Sequence, residues 1–159
     1  MQQGAITEKV EEVKDKVKTD VNEIIEKKKE DLSKVVAERK AKLEREANDR
    51  IQKLTSAAIK SAEKIRLEGK NAAEKVKKEG YKKADLIVKE AGSNPIKKRL
   101  AKAGANKIKK ETDKKSQQLE DKANQNADKV IKEADEKAAE ISLEYQKKID
   151  AVTIDNIKK

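Results

Sequence analysis

The sequence predicts an all-α chain: a long antiparallel helical hairpin built on an 11-residue (hendecad) repeat, with its turn at about residues 92–95. Three observations carry this. From Ala62 to Asn94 the chain reads as three units of eleven, AEKIRLEGKNA, AEKVKKEGYKK and ADLIVKEAGSN. The composition is 45% charged and 1% aromatic, so the apolar supply is Ala, Val, Ile and Leu, enough for a thin seam but not for a thick core. One strong turn signal, Gly92-Ser93-Asn94-Pro95, interrupts the repeat.

The period fixes the geometry. Eleven residues in three turns is ~3.67 per turn, close to the ~3.6 of an α-helix, so places 1, 4 and 8 of each unit fall on one side. Ala62, Ala73 and Ala84 hold the first place, Ile65, Val76 and Ile87 the fourth, and Gly69, Gly80 and Ala91 the eighth. The result is an amphipathic, coiled-coil-like stripe with slight right-handed drift.

Taken in order, Met1–Gly4 reads as a frayed start and Thr7 as a cap for the first turn. From Thr7 the elevens run without a slip to Asn94. Their fourth place is apolar eight times in succession: Val10, Val21, Leu32, Leu43, Leu54, Ile65, Val76 and Ile87. The stripe is broad and β-branched up to about Val36, then becomes narrow and rich in Ala and Gly. Small residues of that kind let a second helix come close. The first arm is expected over about 5–91, a helix of ~130 Å. Gly92 suits a C-cap, Ser93 or Asn94 an N-cap, and Pro95 a first helical position. The elevens resume at Ala105, with Ile108, Leu119, Val130, Ile141 and Val152 at the fourth place. The second arm is expected over about 96–157, ~95 Å long, and Lys158 and Lys159 suit a helix C-terminus. The whole of 1–159 reads as one elongated helical unit, with the fourth-place residues as its seam.

The arms differ in length, and this yields the first candidate surface. The second arm reaches back along roughly Lys34 to Ala91. About thirty N-terminal residues are left overhanging, with the strongest apolar stripe in the chain: Val10, Val13, Val17, Val21, Ile24 and Ile25. Such a stripe calls for a partner helix, from another protein or by self-association.

The second candidate surface is electrostatic. The net charge is +10, unevenly spread. Pro95–Lys115 holds nine basic residues (Lys97, Lys98, Arg99, Lys102, Lys107, Lys109, Lys110, Lys114 and Lys115) against Glu111 and Asp113, so it carries +7. The candidate contacts for an anion or lipid headgroup are Lys97, Lys98, Arg99, Lys102, Lys107, Lys109 and Lys110. Nucleic acid is not expected, because there is no aromatic platform for stacking bases and no recognised binding fold.

Catalysis is not expected. The chain has neither His nor Cys, the commonest base and the commonest soft nucleophile. Its carboxylates pair with lysines at helical spacing, as in Glu23 with Lys27 and Glu74 with Lys78, which is the pattern of a solvated face. No metal-ligand spacing and no Gly-rich phosphate loop is present, so no cofactor is expected. No apolar run approaches the ~20 residues that span a bilayer. A soluble chain is expected, and both the cytoplasm and the cell envelope or periplasm suit it.

Ala73–Gly80, Ala-Glu-Lys-Val-Lys-Lys-Glu-Gly, is similar to the units of group 3 late-embryogenesis-abundant proteins, desiccation protectants built of Ala/Lys/Glu elevens. Those are poorer in Val, Ile and Leu than Val10–Leu54 here. Lys75–Gly80 also resembles the elevens of membrane-surface helices such as synucleins and exchangeable apolipoproteins. Gly92–Ile96 resembles the Gly-x-Asn-Pro-Leu/Ile breaks in helical tails of AsmA-like envelope proteins, whose β-rich body this sequence lacks. The first two resemblances imply a membrane-surface or stress-protectant helix that folds on lipid or on drying. The residues themselves imply a helical scaffold or interaction protein, part of a larger assembly.

Overall fold

The structure, a computed structural model, describes residues 2–157. The chain is all-α. Helix α1 spans Gln2–Glu90 (89 residues), α2 spans Pro95–Asp150 (56 residues) and α3 spans Ile154–Ile157. The two long helices run antiparallel as a helical hairpin about the turn at 91–94. The chain divides into two compact units. One is Ile51–Glu140; the other joins the chain up to Arg50 with the chain from Ile141.

Within Ile51–Glu140 the turn is built as its residues require. Gly92 adopts φ +65°, the left-handed conformation that ends a helix and that side-chain-bearing residues avoid. The Asn94 side-chain oxygen then accepts from the backbone N–H of Ile96 at 3.0 Å and of Lys97 at 3.4 Å, so Asn94, not Ser93, caps α2. Pro95 takes the first helical position, where its missing N–H costs nothing.

The line of contact between α1 and α2 is made of small residues. Ala62, Ala73, Ala84 and Ala127 are fully buried, and Ala58, Ala105, Ala123, Ala134 and Thr112 nearly so. These are first- and eighth-place residues. The fourth-place residues expected to form the seam flank it instead: Leu54, Ile65, Val76, Ile108 and Val130 are half-buried, while Ile87 and Leu119 are 37% and 36% exposed. The physical reason is the distance between backbones. A Cβ placed on Gly69 would collide with the Ala123 methyl, and one on Gly80 would collide with the Thr112 side chain. At that separation only Gly, Ala, Ser and Thr fit between the helices, and larger aliphatics are pushed to the rims. Ser116 adds a direct tie, its hydroxyl donating to the Ala73 carbonyl at 3.1 Å.

The two facing pairs share one register. The step of eleven from Gly69 to Gly80 on α1 is matched by a step of eleven back from Ala123 to Thr112 on α2. The antiparallel helices therefore meet eighth place to eighth place. Polar pairs on the rim agree with this register: Arg66 with Asp128 at 2.7 Å, Lys109 with Asp85 at 3.7 Å and Lys77 with Asp113 at 3.9 Å. Being largely exposed, such pairs contribute ~0–1 kcal/mol each, so they select the register more than they hold it.

In the other unit, side chains from Gln3 to Asp31 are exposed, and the first half-buried residue is Leu32. Val35, Val36 and Leu43 follow as half-buried residues, and Ala47 and Tyr145 are buried. Arg50 donates through Nη1 to the Tyr145 hydroxyl at 3.5 Å, and Lys148 lies 4.8 Å from the ring centre. Helix α1 begins at Gln2 rather than near Ala5, so Thr7 is not a cap. Its hydroxyl instead donates to the Gln3 carbonyl one turn back, at 2.7 Å. Helix α2 ends at Asp150 rather than near Ile157. Thr153 starts the short α3, its hydroxyl accepting from the Asn156 N–H at 3.3 Å. Lys158 and Lys159, expected to suit a helix C-terminus, lie outside the described residues.

The glycines give a test with opposite signs. Gly104 has nothing within 4 Å of where its Cβ would stand, so Gly104→Ala is expected to stabilise by ~0.5–1 kcal/mol, the ordinary gain of Ala over Gly in a helix. Gly69→Ala and Gly80→Ala lose that gain to overpacking of ~1–3 kcal/mol and should lower the melting temperature. Combining Gly69→Ala with Ala123→Gly restores a single methyl between the helices and should recover most of the loss. Thermal melts followed by circular dichroism would read all four; uniform stabilisation would rule out the close approach.

Candidate functional site

The first candidate surface lies on α1 before Leu32. Val10, Val13, Val17, Val21, Ile24 and Ile25 project from one side of the helix because their spacings of three and four residues follow its turn. Ile6, which the sequence reading passed over, extends the stripe by one turn. All seven are between 45 and 63% exposed. The structure thus groups every residue proposed for partner contact on one unpaired face. The first thirty residues carry seven Lys against eight acids, so the surroundings of this stripe are close to neutral.

The second surface lies on the first turns of α2. Lys97, Lys98, Arg99, Lys102, Lys107 and Lys110 are exposed, and among the described residues none forms an ion pair. Lys109 is separate. It pairs with Asp85 and lies 5.5 Å from the centre of the Tyr81 ring, so it is engaged in the contact between helices. Sequence reasoning singled out the cations here and missed two aliphatic neighbours, Ile96 and Leu100, which are 73% and 70% exposed. The signal was present: the two are four residues apart, on one face and off the eleven-residue register.

No family model, no curated protein and no solved structure matches this chain. The reading of function therefore stands on these surfaces and on the polar cluster between the helices. Among the described residues, no helix is long and apolar enough to cross a membrane.

That cluster centres on Tyr81. Its hydroxyl donates to Asp113 Oδ1 at 2.7 Å, and Lys77 and Lys109 stand 5.7 and 5.5 Å from its ring centre. Its most evident role is to tie α1 to α2 near the turn. The hydrogen bond to Asp113, with smaller help from desolvation and from the carboxylate charge, raises the phenol above its ordinary 10.0. A phenol raised in this way keeps its proton longer in the folded chain than in the unfolded one. Its contribution to stability is complete below pH 10.0 and is lost as pH rises through the raised value. In a Tyr145→Phe background, phenolate absorbance would follow Tyr81 alone. Its midpoint is expected above 10.0, and Asp113→Asn should bring it down towards that value. Identical midpoints with and without Asp113 would mean the bond does not form in solution.

Proposed function

We propose that this chain is a non-enzymatic helical scaffold that joins a larger assembly by pairing its N-terminal stripe with another helix, supplied by a partner protein or by a second copy. One observation carries the reading: seven large aliphatic side chains stand exposed on α1 before Leu32, on a helix whose later stripe is covered. The near balance of charge around the stripe favours a protein helix over an anionic surface.

The magnitudes favour a regulated contact over a permanent one. Covering a half-exposed Val or Ile yields roughly 1 kcal/mol. Two facing stripes therefore supply on the order of 14 kcal/mol, against an association cost of ~4–15 kcal/mol. The surplus spans ~0–10 kcal/mol, so self-pairing is expected to be reversible, at sub-micromolar to millimolar concentration. The absence of His and Cys from the sequence supports the non-enzymatic part of the proposal.

Sedimentation across a concentration series tests it. The wild-type chain should gain mass in that range, and the double variant Val13→Asp/Val17→Asp should not. The variant should melt close to the temperature of the dilute parent, because both side chains are exposed. A wild type that stays monomeric would leave a foreign helix as the occupant. A double variant that associates as strongly as the parent would sink the proposal.

A further inference from the structure

We propose that the first turns of α2, from Ile96 to Lys107, form a docking face for an anionic lipid bilayer. This surface is separate from the N-terminal stripe, and the inference does not rest on the scaffold reading. Ile96 and Leu100 are more exposed than any other large aliphatic side chain among the described residues. They share one face of α2, and it is not the face that meets α1, which carries the buried Ala105 and Thr112. Lys97 and Arg99 flank them on the helix, and Lys107 continues their face. No Asp or Glu occurs between Glu90 and Glu111, and among the described residues none of these cations forms an ion pair.

The combination selects the partner. Clustered cations attract any polyanion, nucleic acid included. Two bare aliphatics side by side have no counterpart on a phosphate backbone, whereas a bilayer offers both anionic headgroups and acyl chains just beneath them. Lysine stems can lie along the apolar layer while their ammonium groups stay at headgroup level. A base-stacking protein would present aromatic rings here, and Pro95–Lys115 contains none.

The test is flotation of the full chain with phosphatidylcholine vesicles, with and without phosphatidylserine, at low and physiological salt. Wild type should bind only the phosphatidylserine vesicles, and more weakly as salt rises. Replacing Lys97, Arg99 and Lys107 by Gln should weaken binding by about fivefold per cation, about a hundredfold in all. Replacing Lys122, Lys129 and Lys132 by Gln removes equal charge elsewhere and should cost only about threefold, because attraction decays within a Debye length. Ile96→Ser/Leu100→Ser should weaken binding by about tenfold or more while keeping the salt dependence. All substituted residues are exposed, and matching circular dichroism melts would confirm intact folds. Three results would overturn the proposal: no wild-type binding, equal losses in the two Gln variants, or full binding by the Ile96/Leu100 variant. Capture of random-sequence RNA at equal strength, indifferent to Ile96 and Leu100, would reassign the face to polyanions in general.

Discussion

The structure depends on how closely two backbones approach along α1 and α2. Where a glycine faces an alanine or a threonine, no further carbon fits between the helices. Individual alanines bury little apolar area, so transfer from water alone gives a weak seam. Close approach compensates by bringing many backbone and Cβ atoms within dispersion range, and their small attractions accumulate. A chain with 1% aromatic content can hold two long helices together in this way without a conventional core.

Close approach also explains why the period matters in both arms. In an antiparallel pair, residues ahead on one helix meet residues behind on the other. A small residue every eleven positions keeps meeting small residues only if both helices have the same repeat, set to one register. The turn fixes that register through Gly92 and the Asn94 cap, while Arg66–Asp128 and the Tyr81–Asp113 bond agree with it. A slip of one turn that set Leu119 against Gly69 and Ile108 against Gly80 would drive them into gaps sized for a methyl group. The polar pairs, weak in themselves, act with sterics that already exclude the alternatives.

Much of this architecture was legible in the sequence, for physical reasons that can be named. The turn was legible because Gly, Asn and Pro each have one strong backbone preference, and all three agreed. The unpaired start of α1 was legible because two arms of unequal length leave an overhang. The centre of the contact was misplaced because a scale of apolarity ranks Leu32, Leu43 and Ile87 above Ala62, Ala73 and Gly80. Sterics ranks them in reverse, and only the helix–helix distance decides between the two. The end of α2 at Asp150 was missed because Ala151-Val152-Thr153 contains neither Gly nor Pro, so the repeat ran on past it. Of the proposed cations, only Lys109 changed role, because its partners Asp85 and Tyr81 lie on the other helix and share no local spacing with it.

The change of stripe along α1 is then informative about function. From Ala47 onward the buried positions suit a neighbour at contact distance, and α2 supplies that neighbour. Before Leu32 the apolar stripe lies mainly at the fourth and seventh places, in Val10, Val21, Val13 and Ile24, whose branched side chains hold a neighbour further away and offer it more apolar area. A helix evolved only to remain in water would have no use for them, since they lower helix propensity and expose hydrocarbon. Their presence on an exposed segment, amid nearly balanced charge, is the observation behind the proposed second helix. By the same logic, Ile96 and Leu100 on acid-free turns argue for a surface both oily and anionic. The two surfaces differ in chemistry, one near neutral and one cationic, so the proposed protein contact and the proposed lipid contact would not compete for one partner.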